Sequence, residues 1–165
     1  MRSMVIINYL NSVFLPGTIA ITYWLLSRPF TGPAYLADEI GYLSNAAFLA
    51  GYTVDGGSSY HAGYSLFIAP LFVLCSDYQA IWRAVLLLNA VLWGGTFFLL
   101  HQVIRNQYPD IPDKYRTLVL LTCAFYPAWA TMSGYAFPTS AVVFCFLLSI
   151  YLLIKIDFRH TIQAL

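Results

Sequence analysis

Hydrophobic and polar positions divide this chain into long apolar runs separated by polar segments. Residues 5–26 carry no charge, and further apolar runs cover 80–104, 117–132 and 136–154. About 20 apolar residues in a helix cross the hydrocarbon core of a bilayer. The third run is marginal in length, and Pro127 predicts a kink within it. The pattern therefore predicts an all-α, polytopic membrane protein with about four transmembrane helices in a single membrane domain.

A loop of about fifty residues, 27–79, separates the first predicted span from the second. Within it, Ile40, Leu43, Ala47 and Ala50 recur at helical spacing and predict a helix over 38–50, which Gly51 would end. A second apolar run covers 62–74. Both segments are too short to cross a bilayer, so we expect two short interfacial helices in this loop. Asp55–Ser59 is rich in Gly and Ser and predicts a turn between them.

Composition supports membrane insertion. Sixty per cent of the residues are hydrophobic and 9% are charged, whereas soluble domains carry roughly 25% charged residues. No run of basic residues is present, which argues against a nucleic-acid partner. The cysteines Cys75, Cys123 and Cys145 lie in or beside apolar runs, without the spacing of a metal site.

The basic residues predict an orientation. Six of the eight lie on one side of the predicted spans: Arg2, Arg105, Lys114, Arg116, Lys155 and Arg159. Because cytoplasmic segments are enriched in Lys and Arg, we expect the N-terminus to be cytoplasmic and loop 27–79 to lie outside an inner or plasma membrane. The first apolar run is too long for a signal peptide and has no clear cleavage site, which favours a retained helix.

The outer loop holds the acidic residues that are candidates for chemistry. Asp38 and Glu39 are adjacent, and Glu39 is the only glutamate in the protein. A carboxylate near the membrane surface can act as a general base on an acceptor hydroxyl or amine. A divalent metal, if one binds, would be held by Asp38 or Glu39. The alternative is structural: Asp38 caps the short helix, and Glu39 in its first turn is favoured by the helix dipole.

Other polar residues of this region have two interpretations each. His61 is a candidate acid, base or phosphate ligand, or simply an exposed loop histidine. Arg83 can pair with a lipid phosphate or act as a snorkelling anchor. Tyr42, Tyr60 and Tyr64 can line a sugar site or anchor helices at the interface.

Two short motifs resemble a known family. Asp38-Glu39-x-x-Tyr42 opens the first loop helix, and the run from Tyr60 to Tyr64, Tyr-His-Ala-Gly-Tyr, leads into the second. This arrangement resembles the N-terminal part of the GT-C membrane glycosyltransferases, in the group of the protein O-mannosyltransferases and lipid A aminoarabinose transferases. The resemblance covers roughly residues 5–155. Members of that family are several times longer, so we expect this chain to be part of a longer protein.

The sequence departs from the family at two places. Relatives often carry an acidic residue in a Ser/Thr-Glu pair at the outer start of the fourth span, where this chain reads Phe-Pro-Thr-Ser over 137–140. Ala62 also stands where relatives often have proline.

The resemblance implies transfer of a sugar from a polyprenyl-phosphate carrier to an acceptor on the outer face. Asp38 and Glu39 would be catalytic, and the substrate-binding residues would be Tyr42, Tyr60, His61, Tyr64 and Arg83. The expected partners are the lipid-linked donor, membrane lipid, and either the remaining C-terminal part or a partner membrane protein. The alternative is a non-catalytic four-span protein that assists the handling of lipid-linked sugars or packs with a larger partner.

Overall fold

The described residues form helices joined by loops. A computed structural model describes residues 2–54 and 58–156, with residues 2–12 described by their backbone alone. These residues form seven helices and no strand: α1 Arg2–Ser27, α2 Ala37–Leu49, α3 Gly63–Leu74, α4 Tyr78–Gln107, α5 Asp113–Ala124, α6 Pro127–Met132 and α7 Thr139–Lys155. The all-α prediction is confirmed. The predicted turn at Asp55, the side chain of Arg2 and the whole of Arg159 lie outside the described residues.

Helix α4 is the centre of the structure, and α1, α3, α5 and α7 all pack against it. Among the described side chains, α4 forms the one helix that is long and apolar enough to cross a membrane. Val13–Ser27, α3 and α7 are shorter apolar helices. The described residues therefore contain one candidate membrane-spanning helix, and four spans with a fixed orientation stay predictions.

The predicted third span, 117–132, does not fold as one helix. Helix α5 ends at Ala124 and α6 begins at Pro127, with Tyr126 in an extended conformation at ψ 118°. A residue that precedes proline is disfavoured in the helical region, so the chain breaks there instead of kinking. Proline at the first position of α6 loses no helix hydrogen bond. Helix α5 also begins earlier than predicted, at Asp113.

The two loop helices lie within one residue of their predicted bounds and pack against each other. Helix α2 ends at Leu49, and Gly51 just beyond it takes a φ of +89°, a conformation that favours glycine. The Gly51 N–H donates to the Phe48 carbonyl, and the Tyr52 N–H donates to the Ala47 carbonyl. These are the two bonds of a Schellman motif, which satisfies carbonyls that the helix end leaves without partners.

The close packing of α1 on α4 and one side-chain hydrogen bond position the start of loop 27–79. Helices α1 and α4 approach closely, because a Cβ on Gly94 would lie 2.7 Å from Ala20 Cβ. Small residues allow such approach between membrane helices. At the other end, the indole N–H of Trp82 donates to the Phe30 carbonyl at 2.9 Å. The start of loop 27–79 is thereby attached to the first turns of α4.

Candidate functional site

Asp38 lies in the first turn of α2 with its side chain exposed. The capping interpretation is wrong for this residue, since Leu36 occupies the N-cap position and provides no side-chain hydrogen bond. The Tyr60 hydroxyl instead donates to Asp38 Oδ1. The positive end of the helix dipole favours a carboxylate in this turn. Asp38 is thus an oriented, solvent-accessible carboxylate.

Tyr60 reaches Asp38 because segment 58–60 lies directly against α2. The Asn45 amide donates to the Tyr60 carbonyl at 2.9 Å, and Asn45 Oδ1 accepts the Ser58 N–H at 3.3 Å. The ring of Tyr60 lies over Gly41, where an added Cβ would be 2.7 Å from Tyr60 Cε2 and 2.6 Å from Ser58 Oγ. Glycine at position 41 therefore leaves the space that the tyrosine ring occupies.

Four of the predicted substrate-binding residues come together, three of them around the ring of Tyr42, and Tyr60 connects this group to Asp38. The Tyr42 ring centre lies 5.4 Å from that of Tyr60, 5.9 Å from that of His61 and 5.6 Å from that of Tyr64. Tyr42 and Tyr64 are buried, Tyr60 is half-buried and His61 is exposed. Asp38 with Tyr42, Tyr60, His61 and Tyr64 is called the Asp38 cluster below.

Two phenols of the Asp38 cluster hold their protons more firmly than usual. The hydrogen bond to Asp38 raises the pKa of Tyr60, and burial and the charge of Asp38 also contribute to the rise. Burial, followed by the charge of Asp38, raises the pKa of Tyr42. Both hydroxyls therefore stay protonated at neutral pH and remain hydrogen-bond donors.

Glu39 faces away from Asp38 into the protein interior. Successive residues of an α-helix are rotated by about 100°, so adjacent carboxylates cannot point the same way. The Glu39 side chain is 0% exposed, and its Oε1 accepts the Ala136 N–H at 2.9 Å. Oε2 has no partner among the described residues. The geometry thus gives Glu39 a positioning role, holding the segment before α7 against α2.

Asn89, which the sequence analysis did not single out, connects several parts of the site. Its Oδ1 accepts the hydroxyls of Tyr64 at 3.0 Å and Ser140 at 2.8 Å, and its amide donates to the Tyr135 carbonyl at 2.8 Å. An amide in the middle of a long apolar run was the available signal, because polar residues there commonly bond across helices. Asn89 fixes α3 and α7 relative to α4.

Arg83 is directed to a different partner. Its Nη1 donates to the Arg28 carbonyl at 2.9 Å, beside the Arg28 guanidinium that lies over the Trp24 ring. Arg83 thus contacts the start of loop 27–79 and does not contact the Asp38 cluster. Among the described residues, no three His, Cys, Asp or Glu side chains come together as a metal site.

An apolar groove of about 180 Å³ opens beside the Asp38 cluster. It runs between α3 and α7 and is lined by His61, Gly63, Tyr64, Phe67, Pro138, Ala141, Val142 and Cys145. His61 and Tyr64 belong both to the groove and to the cluster. The arrangement places an accessible carboxylate and several phenols next to a surface that suits a hydrocarbon chain.

Comparisons of this chain with protein-family models, with curated proteins and with solved structures found no match. The Asp38 cluster and the two short motifs that form it are therefore the basis for a proposed function.

Proposed function

We propose that this chain is the N-terminal portion of a membrane glycosyltransferase of the GT-C type, which transfers a sugar from a polyprenyl-phosphate carrier to an acceptor on the outer face of the membrane. The observation that carries the proposal is the exposed Asp38 carboxylate, oriented by the Tyr60 hydroxyl within the Asp38 cluster. A general base must be accessible and held in one orientation, and Asp38 meets both requirements.

The proposed reaction is a single displacement at the anomeric carbon. The acceptor oxygen or nitrogen attacks that carbon while its proton passes to Asp38. The new bond to the acceptor forms as the bond from the anomeric carbon to the phosphate oxygen breaks, and the electron pair leaves with the lipid phosphate. Tyr60 holds the carboxylate through Oδ1, and among the described residues Oδ2 has no hydrogen-bond partner.

The donor is proposed to bind with its hydrocarbon chain in the groove between α3 and α7. His61 at the groove edge would contact the phosphate, and Tyr42 and Tyr60 would face the sugar. Aromatic side chains present apolar surface with a polar hydroxyl, which suits a carbohydrate. Neutralising the leaving phosphate is assigned to His61, because Arg83 is bonded to the Arg28 carbonyl.

The multi-pass arrangement belongs to the same proposal. We place α1, α4, the α5–α6 pair and α7 across the membrane, with α2 and α3 at its outer surface. The exposed apolar side chains along α1, α4 and α7 support this placement, since lipid would cover them; they include Phe14, Ile21, Leu87, Val91, Val142 and Phe146.

Substitution of Asp38 tests the mechanism. Asp38→Asn in the intact protein should lower transfer by a factor of about 10² to 10⁴, the usual contribution of a general base. Membranes that contain the protein would be supplied with a panel of polyprenyl-phosphate hexoses and pentoses, and transfer to the endogenous acceptor would be measured. Asp110→Asn is the matched control, because Asp110 is also exposed and lies in the loop between α4 and α5.

Two outcomes would contradict the proposal in different ways. If Asp38→Asn retains full transfer, Asp38 is not the base. If the wild-type protein binds a polyprenyl-phosphate sugar but never transfers it, the non-catalytic protein that assists lipid-linked sugar handling becomes the better description.

A further inference from the structure

A polar cavity, separate from the apolar groove, lies near the C-terminal end of α4. It has a volume of about 100 Å³ and is formed by α1, α4 and α5. Its lining residues are Leu15, Pro16, His101, Arg105, Asp113, Arg116, Thr117 and Leu120. We call this the His101 cavity. It is large enough for several water molecules or one small anion, since one water needs a cavity of roughly 10–15 Å³.

The charges around the His101 cavity do not cancel. Arg116 is 7% exposed and pairs with Asp113 at 2.9 Å. Arg116 Nη2 also donates to the carbonyls of Tyr108 and Pro109. Arg105 donates to Gln102 Oε1 at 2.6 Å, and no acid pairs with it among the described residues. With His101 neutral, two arginines and one aspartate leave a net charge of 2 − 1 = +1.

Two buried nitrogen atoms beside the cavity lack partners. Neither His101 Nδ1 nor Arg116 Nε has a hydrogen-bond partner among the described residues. Buried polar atoms without partners are uncommon in native proteins, and they often mark a site for water or an ion. The missing partners, the net positive charge and the enclosed space occur at one place.

We propose that the His101 cavity binds a phosphate group. Arginine presents a planar set of donors that matches phosphate oxygens, and Arg105 has donors left for this purpose. Leu15, Pro16 and Leu120 provide an apolar wall. The cavity lies on the side predicted to face the cytoplasm, where anionic lipids are enriched. The phosphate belongs either to a phospholipid headgroup or to free inorganic phosphate, and the test separates these sources.

The test uses the full chain and substitutes Arg105. Purified protein in detergent would be titrated with phosphatidylglycerol and with phosphatidylcholine of the same acyl chains, and bound lipid counted by native mass spectrometry. Radiolabelled inorganic phosphate would be tested in parallel by equilibrium dialysis. Arg105→Gln should weaken binding of phosphate by about tenfold or more, the effect of losing a charge-assisted hydrogen bond.

Lys114→Gln is the matched control variant. This substitution removes the same charge at the start of α5, and the Lys114 ammonium lies over the Tyr115 ring, outside the cavity lining. Arg105→Lys keeps the charge and loses the planar donor set, so its binding should be intermediate. Thermal unfolding of each variant in detergent shows whether it retains the fold.

Each outcome decides the proposal. Preference for phosphatidylglycerol that falls in Arg105→Gln and survives in Lys114→Gln supports a lipid headgroup. Binding of inorganic phosphate with the same dependence, without lipid selectivity, supports free phosphate. Equal losses in both glutamine variants, or no binding of either ligand by the wild type, overturn the proposal.

Discussion

Two adjacent acids of α2 lie in different environments, and these environments determine what each carboxylate can do. Asp38 and Glu39 have the same functional group and adjacent positions, yet one is exposed beside a phenol and the other is 0% exposed. Their difference arises from the rotation of about 100° per residue along a helix. The exposed carboxylate is available to a substrate, whereas the buried carboxylate is available only to the backbone of the protein. The proposed role of general base and the positioning role thus fall to two neighbouring acids.

The contact between Tyr60 and Asp38 predicts a dependence on alkaline pH. The hydrogen bond to Asp38 raises the pKa of Tyr60 above its ordinary value of 10.0. The folded protein therefore binds this proton more tightly than the unfolded chain does. The stability from this contact should be fully present below pH 10.0 and should be lost as the pH rises through the folded pKa.

Ultraviolet absorbance of tyrosinate measures this titration. The difference between wild type and Tyr60→Phe isolates the Tyr60 component, which should appear above the ordinary pKa. In Asp38→Asn the same component should move towards the ordinary value, whereas Asp110→Asn should leave it in place. A Tyr60 component that titrates at or below the ordinary value in the wild type would show that the contact does not form in solution.

At the scale of elements, the position of Tyr60 depends on the surface of α2. Helix α2 presents Gly41 and Asn45 one turn apart, and segment 58–60 packs on both. A glycine inside a helix normally costs about 1 kcal/mol relative to alanine. The absence of a side chain at Gly41 is useful here because it lets an aromatic ring lie against the helix backbone.

Replacement of this glycine should therefore disrupt the Asp38 cluster. A Cβ at position 41 would overlap the Tyr60 ring and approach Ser58 Oγ to 2.6 Å. We expect Gly41→Ala to displace Tyr60, to return the Tyr60 titration towards its ordinary pKa and to lower transfer by about tenfold or more if Asp38 is the base. Transfer and tyrosinate absorbance are the measurements.

Gly17→Ala is the control for this experiment. Gly17 lies inside α1, away from the Asp38 cluster and the groove, and an added Cβ would meet nothing within 4 Å. It should leave both readouts unchanged. An unaltered Tyr60 titration in Gly41→Ala would mean that the close packing of the ring on α2 is not required for the contact.

At the scale of the whole molecule, one buried amide holds distant elements together. Asn89 is 1% exposed, and its three hydrogen bonds reach α3, α7 and the segment before α7. Removing one partner of a buried hydrogen bond leaves the other group unsatisfied at a cost of about 1–3 kcal/mol. Asn89 accordingly sets the relative position of the helices that line the groove.

Asn89→Ala should lower the stability of the folded protein by several kcal/mol, roughly the sum for the groups left without partners, namely Tyr64, Ser140 and the Tyr135 carbonyl. Thermal unfolding in detergent would measure the change. Asn106→Ala is the matched control, because Asn106 is exposed on the same helix and the same atoms are removed. Equal effects of the two substitutions would contradict the central role of Asn89.

Features that depend on neighbouring residues could be predicted from the sequence more fully than features that depend on distant ones. Helical periodicity with Gly51 was sufficient for α2, and a short apolar run was sufficient for α3, because both are local signals. The break before Pro127 was predicted only as a kink, because the sequence shows the proline but does not show whether the same helix continues beyond it. The helix that contains Asp38 was predicted, but its cap was assigned to the wrong residue.

Contacts between distant residues could not be predicted from one sequence. The bond from Ala136 to Glu39 joins residues 97 apart, and the bond from Ser140 to Asn89 joins residues 51 apart. Nothing in the local pattern specifies these pairs. The motif residues Tyr42, Tyr60, His61 and Tyr64 were grouped by resemblance. Their rings meet because α2 packs on α3 and on segment 58–60. Arg83 was grouped with them, and the structure directs it elsewhere.

The bond between Glu39 and Ala136 also has a consequence for biosynthesis. Ribosomes make Glu39 long before Ala136, so the nascent chain carries this acid without its final partner while α3, α4, α5 and α6 are produced. A carboxylate is costly to bury alone, and Glu39 must therefore remain hydrated until the segment before α7 arrives. The arrival of that segment gives the Glu39 carboxylate its backbone partner. An unfinished chain therefore differs from a finished one by an acid that still needs solvent.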